Sequence, residues 1–499
     1  MSETKPRRKR PELLERAVVI NAAERLAQHG RVVLEQANQA YLNGGDGVLA
    51  GLERFDDERP NIEAGQAWAA ARIAASDAAR LAYEYTEVGS HVLDLRLPPH
   101  ERIVWFEVAV QACRRLGHRQ GEGDALGDLG NAYADLGEAR KAIGYHEQNL
   151  AIAREISNRA GESRALGNLG NAYAQLGEPR RAIKHHEQHL AIAREIGNRR
   201  SEGNALGNLA NAYNQLGELD TAAEYYKQVL AITRATGDRR AESSTLANLG
   251  IAYCDLRKPR TAIGYCEQAL AITRDVGDRQ GEGNALGGLG LAYRQLDETR
   301  TAIDYFEQAL AIARETGDLQ SQGYSLNNLG IAYVNLDEVH TAIRYFEQIL
   351  SIARQLGDRA GEGRTFGNLG SAYDRLDEPR TAMGYYAQDL AIARELGDRA
   401  GEGQTLGNLG NVYRRLGEPQ QAIEHYKQHL AIAREIGDQA GEGIALWNAA
   451  LVHNQLGERS TAVTQAKAAL VIFRTIESPH AAAIESWLRE RGGDSDAMG

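Results

Sequence analysis

The chain has 499 residues, of which 43% are apolar and 25% are charged, and its formal net charge is -11 at pH 7. This composition is typical of an ordered chain and argues against general disorder. The negative charge disfavours nucleic acid as a ligand, because a polyanion requires a basic surface. No apolar run approaches the roughly 20 residues of a membrane-spanning helix, so we expect no membrane association.

The cysteines and the N-terminal segment indicate a compartment. Cys113, Cys254 and Cys266 form no CxxC pair, and an odd number of cysteines fits a reducing compartment better than a disulfide-bonded secreted protein. The N-terminal segment lacks the apolar core of a signal peptide. We therefore expect a soluble cytoplasmic protein.

The first 77 residues do not follow the pattern of the rest of the chain. Residues 1–10 contain the basic run KPRRKR, for which we expect a flexible tail. Residues 11–77 form a predicted N-terminal helical region, because apolar residues recur at steps of three and four. Within it we expect a short helix, a polar turn around Asp56–Asn61 and another helix.

Residues 78–117 resemble one degenerate repeat that leads into a regular array. Pro98 and Pro99 mark a break before its second half. Trp105 and Phe106 are two adjacent large aromatic residues in this segment, as expected if it packs on a neighbour that is not a repeat.

Residues 118–477 repeat one pattern nine times with a period of forty residues. Such a period predicts a solenoid of stacked units, each of two helices. Ala182 and its equivalents never vary, and Gly170 belongs to a column in which only Ala210 and Ala450 differ. Small residues at these positions indicate close helix packing. Residues 478–499 should supply a capping helix and a tail.

The unit resembles the tetratricopeptide repeat (TPR) in Leu169-Gly170, Tyr173, Gly177 and Ala182, and the match covers about residues 118–477. The forty-residue length is similar to that of the animal Pins/LGN adaptors. More loosely, the stretch FDDERPNIEAGQAWAAA resembles the helical region before TPR arrays in bacterial signalling NTPases, although no GxxxxGKS or GxxxxGKT phosphate loop is present. The resemblance implies an all-α, right-handed α-solenoid superhelix of antiparallel helix pairs whose concave groove binds extended peptides.

In such arrays the first helix of each unit, helix A, lines the groove. One column of helix A carries an amide in seven of nine units: Asn168, Asn208, Asn248, Asn328, Asn368, Asn408 and Asn448. An amide both donates and accepts hydrogen bonds, which suits it to bind the backbone of an extended peptide. The alternative is that these amides bond to neighbouring helices and only set the superhelical pitch.

The next groove column changes its character along the array. It is polar at Asn131, Asn171, Asn211 and Asn411 and apolar at Ile251, Leu291 and Ile331. Units seven and eight add a basic wall, opposed locally by Asp374 alone, that consists of Arg364, Arg375, Arg414 and Arg415. We expect a partner segment with acidic and apolar residues, unless these columns reflect drift and solvated charge. Asp124, Asp128 and Asp135 make the first unit acidic.

The sequence contains no convincing catalytic or metal site. His185 and His189, and likewise His425 and His429, are spaced by four, but Tyr, Phe or Cys occupies the same columns in other units. We interpret these histidines as rings in packed positions. No Ser/His/Asp set or HExxH motif stands apart from the repeat, so we expect neither catalysis nor a cofactor.

The sequence therefore predicts a non-enzymatic adaptor or scaffold for signalling that binds a partner protein. One alternative is a sensor that regulates a separately encoded effector, and a pull-down that recovers an enzyme would favour it. A single-strand RNA binder is the second alternative, but it would require a basic, aromatic groove. Self-association stays open.

Overall fold

The computed structural model describes the backbone of residues 9–490 and the side chains of residues 22–490 except Asp46. The basic run Lys5–Arg10 and the segment after residue 490 lie outside the described side chains. Residues 9–490 form 23 α-helices and no strand, which confirms the predicted all-α solenoid of TPR type. None of these helices combines the length and apolar character that a membrane span requires.

The chain divides into two compact units, residues 1–245 and 246–499, which are described separately. Four helices begin the first unit: α1 (Lys9–Leu42), α2 (Asp46–Ala70), α3 (Ser76–Arg96) and α4 (Pro99–Leu116). Three helix pairs follow: α5 (Arg119–Asp135) and α6 (Ala139–Glu155), α7 (Arg159–Gln175) and α8 (Pro179–Glu195), α9 (Arg199–Gln215) and α10 (Leu219–Thr236). The division falls within α11 (Arg239–Asp255).

The second unit continues the pattern of helix pairs. Its helices are α12 (Pro259–Val276), α13 (Arg279–Gln295), α14 (Thr299–Thr316), α15 (Leu319–Asn335), α16 (Val339–Leu356), α17 (Arg359–Arg375), α18 (Pro379–Leu396), α19 (Arg399–Arg415), α20 (Pro419–Ile436), α21 (Gln439–Gln455), α22 (Arg459–Thr475) and α23 (His480–Glu490). We call the odd-numbered helices α5 to α21 the A helices and the even-numbered helices α6 to α22 the B helices.

The predicted turn around Asp56–Asn61 is wrong, because α2 is continuous and carries Pro60 inside it. Phe55 and Ile62 lie seven residues apart on one face of α2 and are fully buried in the core of the first four helices. Burial of these two side chains outweighs the polar sequence between them and the helix-breaking tendency of proline.

The first four helices join the array through two aromatic residues of α4. Trp105 packs edge-on against Tyr85 with ring centroids 6.1 Å apart, within the core of α1 to α4. Phe106 instead contacts Leu129 and Ala132 of α5. At the other end of the chain, α23 buries Ile484 among residues of α22.

Each A helix begins at a capped turn. In α13 the Asp278 carboxylate accepts a hydrogen bond of 3.0 Å from the backbone N–H of Gly281. This contact satisfies one of the backbone donors that a helix leaves unpaired in its first turn. The cap recurs every forty residues, at Asn158, Asn198, Asp238, Asp318, Asp358, Asp398 and Asp438.

The glycine column of the A helices packs against a column of side chains on the B helices. A Cβ atom added at Gly290 would lie 2.5 Å from Cε1 of Phe306, and one at Gly170 would lie 2.3 Å from Cε1 of His186. Glycine is therefore required for the close approach of the two helices in a repeat. Ala210 stands in the same column as Gly170, and Tyr226 in the same column as His186.

A buried glutamate connects three consecutive helices. Glu282 of α13 pairs with Arg274 of α12 at 2.8 Å and with Arg279 of its own helix, and Arg279 also bonds Glu315 of α14 at 3.1 Å. Burial alone raises the pKa of Glu282, but the hydrogen bonds from the two arginines outweigh it and hold the pKa below its ordinary value. We call this contact the Arg–Glu–Arg bridge.

We predict opposite effects for two glycine substitutions in neighbouring helices. Gly290→Ala overpacks the contact with Phe306 and should lower the free energy of unfolding by about 1 to 3 kcal/mol. Gly264 lies within α12 with no atom within 4 Å of an added Cβ. Gly264→Ala should raise the free energy of unfolding by about 0.5 to 1 kcal/mol, because alanine favours the helix. Urea titrations measure both, and equal effects would contradict the packing account.

We also predict that two buried histidines make stability depend on pH. His146 and His186 are each 1% exposed, and burial lowers the pKa of each to about 4. Between pH 6.5 and about 4 the unfolded chain binds protons that the folded chain does not, so the free energy of unfolding decreases as the pH is lowered, by up to about 1.4 kcal/mol per pH unit for each histidine.

Phenylalanine occupies the same column at Phe306 and Phe346, which makes it the matched replacement. In the double variant His146→Phe with His186→Phe, the free energy of unfolding from urea titrations should differ less between pH 7.5 and pH 5, because the contribution of the two histidines is removed. The exposed His340→Gln is the control and should leave the pH dependence unchanged. An unaltered pH dependence in the double variant would show that these histidines are already charged in the fold.

Candidate functional site

Residues spaced by four and then three share one side of each A helix. In α7 these are Arg164, Asn168 and Asn171, and the equivalent residues recur every forty positions. We call this side the A face. It includes both groove columns that the sequence singled out. Each of the two units has its own A face.

In the first unit, two amides of the A face connect successive A helices. Asn168 donates a hydrogen bond of 3.1 Å to Oδ1 of Asn131, and Asn208 donates one of 3.0 Å to Oδ1 of Asn171. Such bonds are those that the pitch-setting alternative requires. Each amide has two N–H donors and an oxygen with two lone pairs, so one internal bond leaves capacity for a ligand. Oδ1 of Asn211 accepts from the Tyr226 hydroxyl.

A cavity of about 490 Å³ opens on the A face of the first unit. Its lining includes four of the predicted residues, which are Asn131, Asn168, Asn171 and Asn208. The remaining lining comes from α3, the A helices α5, α7 and α9, and two B-helix residues: Tyr83, Thr86, Glu87, Ser90, Asp124, Ala125, Gly127, Asp128, Asn149, Arg164, Gly167, His189, Ser201 and Asn204.

Asn149 and His189 of the cavity come from the B helices α6 and α8 and were not predicted to bind a ligand. A Cβ added at Gly127 would lie 2.5 Å from Nδ2 of Asn149, and one at Gly167 would lie 3.0 Å from Nδ1 of His189. Both side chains therefore reach the A face through gaps that glycines leave. The first glycine of the repeated Leu-Gly-x-Leu-Gly pattern was the only signal for this in the sequence.

The charges around the cavity are mostly paired. Arg102 bonds Asp94 at 3.0 Å and Asp135 at 2.6 Å, and Arg164 bonds Asp124 at 2.8 Å. Among the described residues, none forms a hydrogen bond or ion pair with the Asp128 carboxylate. Burial, helped by the charges of Asp94 and Asp124, raises the pKa of Asp128 to about 7.

The A face of the second unit carries the predicted apolar residues. Ile251, Leu291 and Ile331 lie on three successive A helices, and each is partly exposed. Leu291 also contacts the small core clusters of α12 and α14. The three side chains thus have apolar surface left for a ligand.

The side-chain amides of the second unit differ in how many hydrogen bonds they form within the fold. Asn328 is only 4% exposed, accepts from Arg294 at 2.9 Å and donates to the Tyr324 carbonyl at 3.0 Å. Asn368 donates to Oδ1 of Asn327 at 3.1 Å. The Asn411 side chain accepts from the Tyr426 hydroxyl at 2.7 Å. Asn328 is therefore engaged within the fold at both polar ends.

Three residues of the same column have no side-chain hydrogen bond to any described residue: Asn248, Asn408 and Asn448. Asn248 is exposed, and the other two are half-buried. These are the amides of the second unit with the most free hydrogen-bonding capacity.

Two arginines of the predicted basic wall act within the fold. Arg375 donates to the Val334 carbonyl at 3.2 Å, and Arg415 donates to the Asp374 carbonyl at 2.8 Å. Each carbonyl lies near the end of the preceding A helix and also accepts a backbone N–H from the turn that follows, so the arginine is its second donor. Gln295 makes the same bond to the Cys254 carbonyl at 2.8 Å.

The expectation that Asp374 alone opposes the basic wall is wrong. Arg415 pairs with Asp374 at 2.5 Å and also with Asp377, and Arg364 lies 3.7 Å from the Asp358 carboxylate. Arg414 is half-buried beside Tyr426. The wall is consequently less basic than its four arginines suggest, because carboxylates on turns between helices lie next to it.

The chain is similar to several solved structures. A signal transduction ATPase with numerous domains (STAND) protein with a tetratricopeptide repeat sensor from Pyrococcus horikoshii is 14% identical, with a TM-score of 0.51 over 84% of this chain and 74% of that chain. The apo quorum sensor NprR from B. thuringiensis is 14% identical, with a TM-score of 0.46 over 68% and 99%. BtubC from P. vanneervenii is 21% identical, with a TM-score of 0.40 over 44% and 92%.

These likenesses show the fold alone, and the resemblance to the Pins/LGN adaptors stays a prediction. No curated protein matches the chain. The tetratricopeptide repeat model matches residues 121–195, 161–235, 201–275, 241–315, 322–395 and 401–475. These matches cover most of the helix pairs whose A faces are described above. The chain therefore belongs to the tetratricopeptide repeat family, whose repeats form protein-interaction or regulatory modules.

Proposed function

We propose that this chain is a non-enzymatic adaptor or scaffold whose A faces bind extended segments of a partner protein. The observation that carries the proposal is the set of amides with free hydrogen-bonding capacity on these faces. In the second unit Asn248, Asn408 and Asn448 have no internal side-chain partner. An extended peptide has unpaired backbone N–H and C=O groups, which such amides can satisfy whatever its side chains are.

The second unit adds a preference for side chains. Ile251, Leu291 and Ile331 offer apolar surface on successive A helices, and Arg364 and Arg414 are the basic residues not used to bond a helix end. A segment with apolar residues and an acidic end fits these properties. Removal of apolar surface from water would supply affinity, and the charges would mainly fix the direction of the segment.

The alternatives are less well supported. A sensor that controls a separate effector would use the same faces, so only the identity of the captured partner separates it from a scaffold. An RNA-binding role requires a basic groove, whereas Glu87, Asp124 and Asp128 line the cavity of the first unit. We propose a cytoplasmic location, because Cys113, Cys254 and Cys266 are all buried free thiols.

We predict that two groups of asparagines in the second unit behave differently. Asn408→Ala combined with Asn448→Ala should weaken the binding of peptides selected from a random display library by roughly tenfold, since each net hydrogen bond contributes about 0.5 to 1.5 kcal/mol. The melting temperature should change little, because no described residue bonds these side chains.

The matched control is Asn328→Ala, which leaves the Arg294 guanidinium without this partner and should lower the melting temperature. Titration of a labelled selected peptide and thermal melts monitored by circular dichroism give the two measurements. If the variant of Asn408 and Asn448 binds the selected peptides as tightly as the unmodified chain, the amides are not part of the binding face.

A further inference from the structure

The cavity of the first unit combines an unpaired carboxylate with polar side chains that the fold leaves unused. The Asn149 side chain is only 9% exposed, lines the cavity and has no hydrogen bond to a described residue. His189 is 6% exposed, and its Nδ1 has no partner among the described residues. Buried polar groups without partners carry a desolvation cost, so a ligand that bonds to them would be stabilised here.

The charge of the cavity selects the sign of such a ligand. Arg164 neutralises Asp124, and Arg102 is shared between Asp94 and Asp135, so neither arginine is free to pair with Asp128. Glu87 lies on the opposite wall, where it is hydrogen-bonded to Tyr83. The net charge around Asp128 is therefore negative, which favours a cationic group.

The shape of the acceptor set favours one kind of cation. Asp128 supplies a carboxylate, and the side-chain amides of Asn131, Asn149 and Asn168, each with an oxygen that can accept hydrogen bonds, line the same cavity. A guanidinium group is planar, carries five N–H donors and can bond a carboxylate and neighbouring oxygens at once. An ammonium group, which is a compact and strongly hydrated charge, would use fewer of these acceptors.

We propose that the cavity of the first unit is an arginine-binding subsite, in which Asp128 and the amides around it bind the guanidinium group of a basic residue in the partner segment. The subsite rests on the proposed function and adds to it a preference opposite in sign to the one expected for the second unit. The cavity volume of about 490 Å³ accommodates an arginine side chain with part of its backbone.

The probe is a seven-residue glycine and serine peptide with one central arginine, acetylated and amidated at its ends. The same peptide with citrulline, the neutral isostere of arginine, is the control. The full chain should bind the arginine peptide about tenfold more tightly than the citrulline peptide in titrations at pH 8, because only arginine forms a charge-assisted pair with Asp128. Equal binding of the two peptides would overturn the proposal.

Asp128→Asn is the matched variant, because asparagine already stands at the equivalent position in seven repeats. It should remove the preference for arginine over citrulline while leaving the circular dichroism spectrum of the chain unchanged. A variant that keeps the full preference would also overturn the proposal. The citrulline comparison on the unmodified chain stands by itself if this variant folds poorly.

The pH dependence of peptide affinity distinguishes an Asp128 that binds the ligand from one that only stabilises the fold. Because its pKa is about 7, affinity for the arginine peptide should rise by up to about tenfold from pH 6 to pH 8 as the carboxylate becomes charged. Burial lowers the pKa of His189 below its ordinary value. The charged groups that face Asp128 are Asp94 and Glu87 of α3, Arg102 of α4, Asp124 of α5 and Arg164 of α7.

Two further probes define the ligand. The lysine version of the peptide should bind more weakly than the arginine version, and equal affinity would contradict the guanidinium assignment. Free arginine should bind more weakly than the capped peptide, and tighter binding would point to a small metabolite instead of a protein segment. If library peptides still bind the A faces while arginine and citrulline peptides do not differ, the subsite fails and the proposed function survives.

Discussion

The Arg–Glu–Arg bridge is the contact on which the stacking of repeats most depends. A glutamate such as Glu282 is buried where a B helix, the next A helix and the following B helix meet, and it is held by arginines from the first two. A buried charge that loses one of its partners destabilises a fold by several kcal/mol. Among the described residues, five glutamates are held by both arginines, the second of which also bonds the following helix: Glu122, Glu162, Glu282, Glu362 and Glu402. In α15, Gln322 takes the place of the glutamate and donates to the Ala313 carbonyl of the preceding B helix.

The contacts that hold the repeats together lie mainly outside the A faces, which leaves these faces available for function. The B helices supply the rings that pack on the glycine column, as Phe306 packs on Gly290, and the Arg–Glu–Arg bridges occupy the ends of the helices. The A faces carry amides that only partly bond to each other, partly exposed aliphatic residues and, in the first unit, the unpaired Asp128.

Periodicity in the sequence predicted the helix pairs and the close contacts at glycine, because these depend on residues within one repeat. The sequence did not reveal contacts that depend on how repeats stack. Arg375 bonds a carbonyl forty-one residues earlier, and Asn328 is buried by Arg294 from the preceding repeat. The turn predicted around Pro60 was wrong for a related reason, since burial of Phe55 and Ile62 outweighs the tendency of proline to break a helix. Asn149 and His189 reach the cavity only through gaps in another helix.

Photo-crosslinking of the assembled protein would test most directly whether function resides on the A faces. A photoreactive phenylalanine analogue would replace Asn171 or Asn248 on the A faces, or the exposed Gln148 or Gln308 on B helices, and the chain would be irradiated in its own cells. The account predicts that the A-face positions form adducts with a common partner protein and that the B-helix positions do not. Adducts from Gln148 and Gln308 alone would contradict it and would place the binding surface on the B helices.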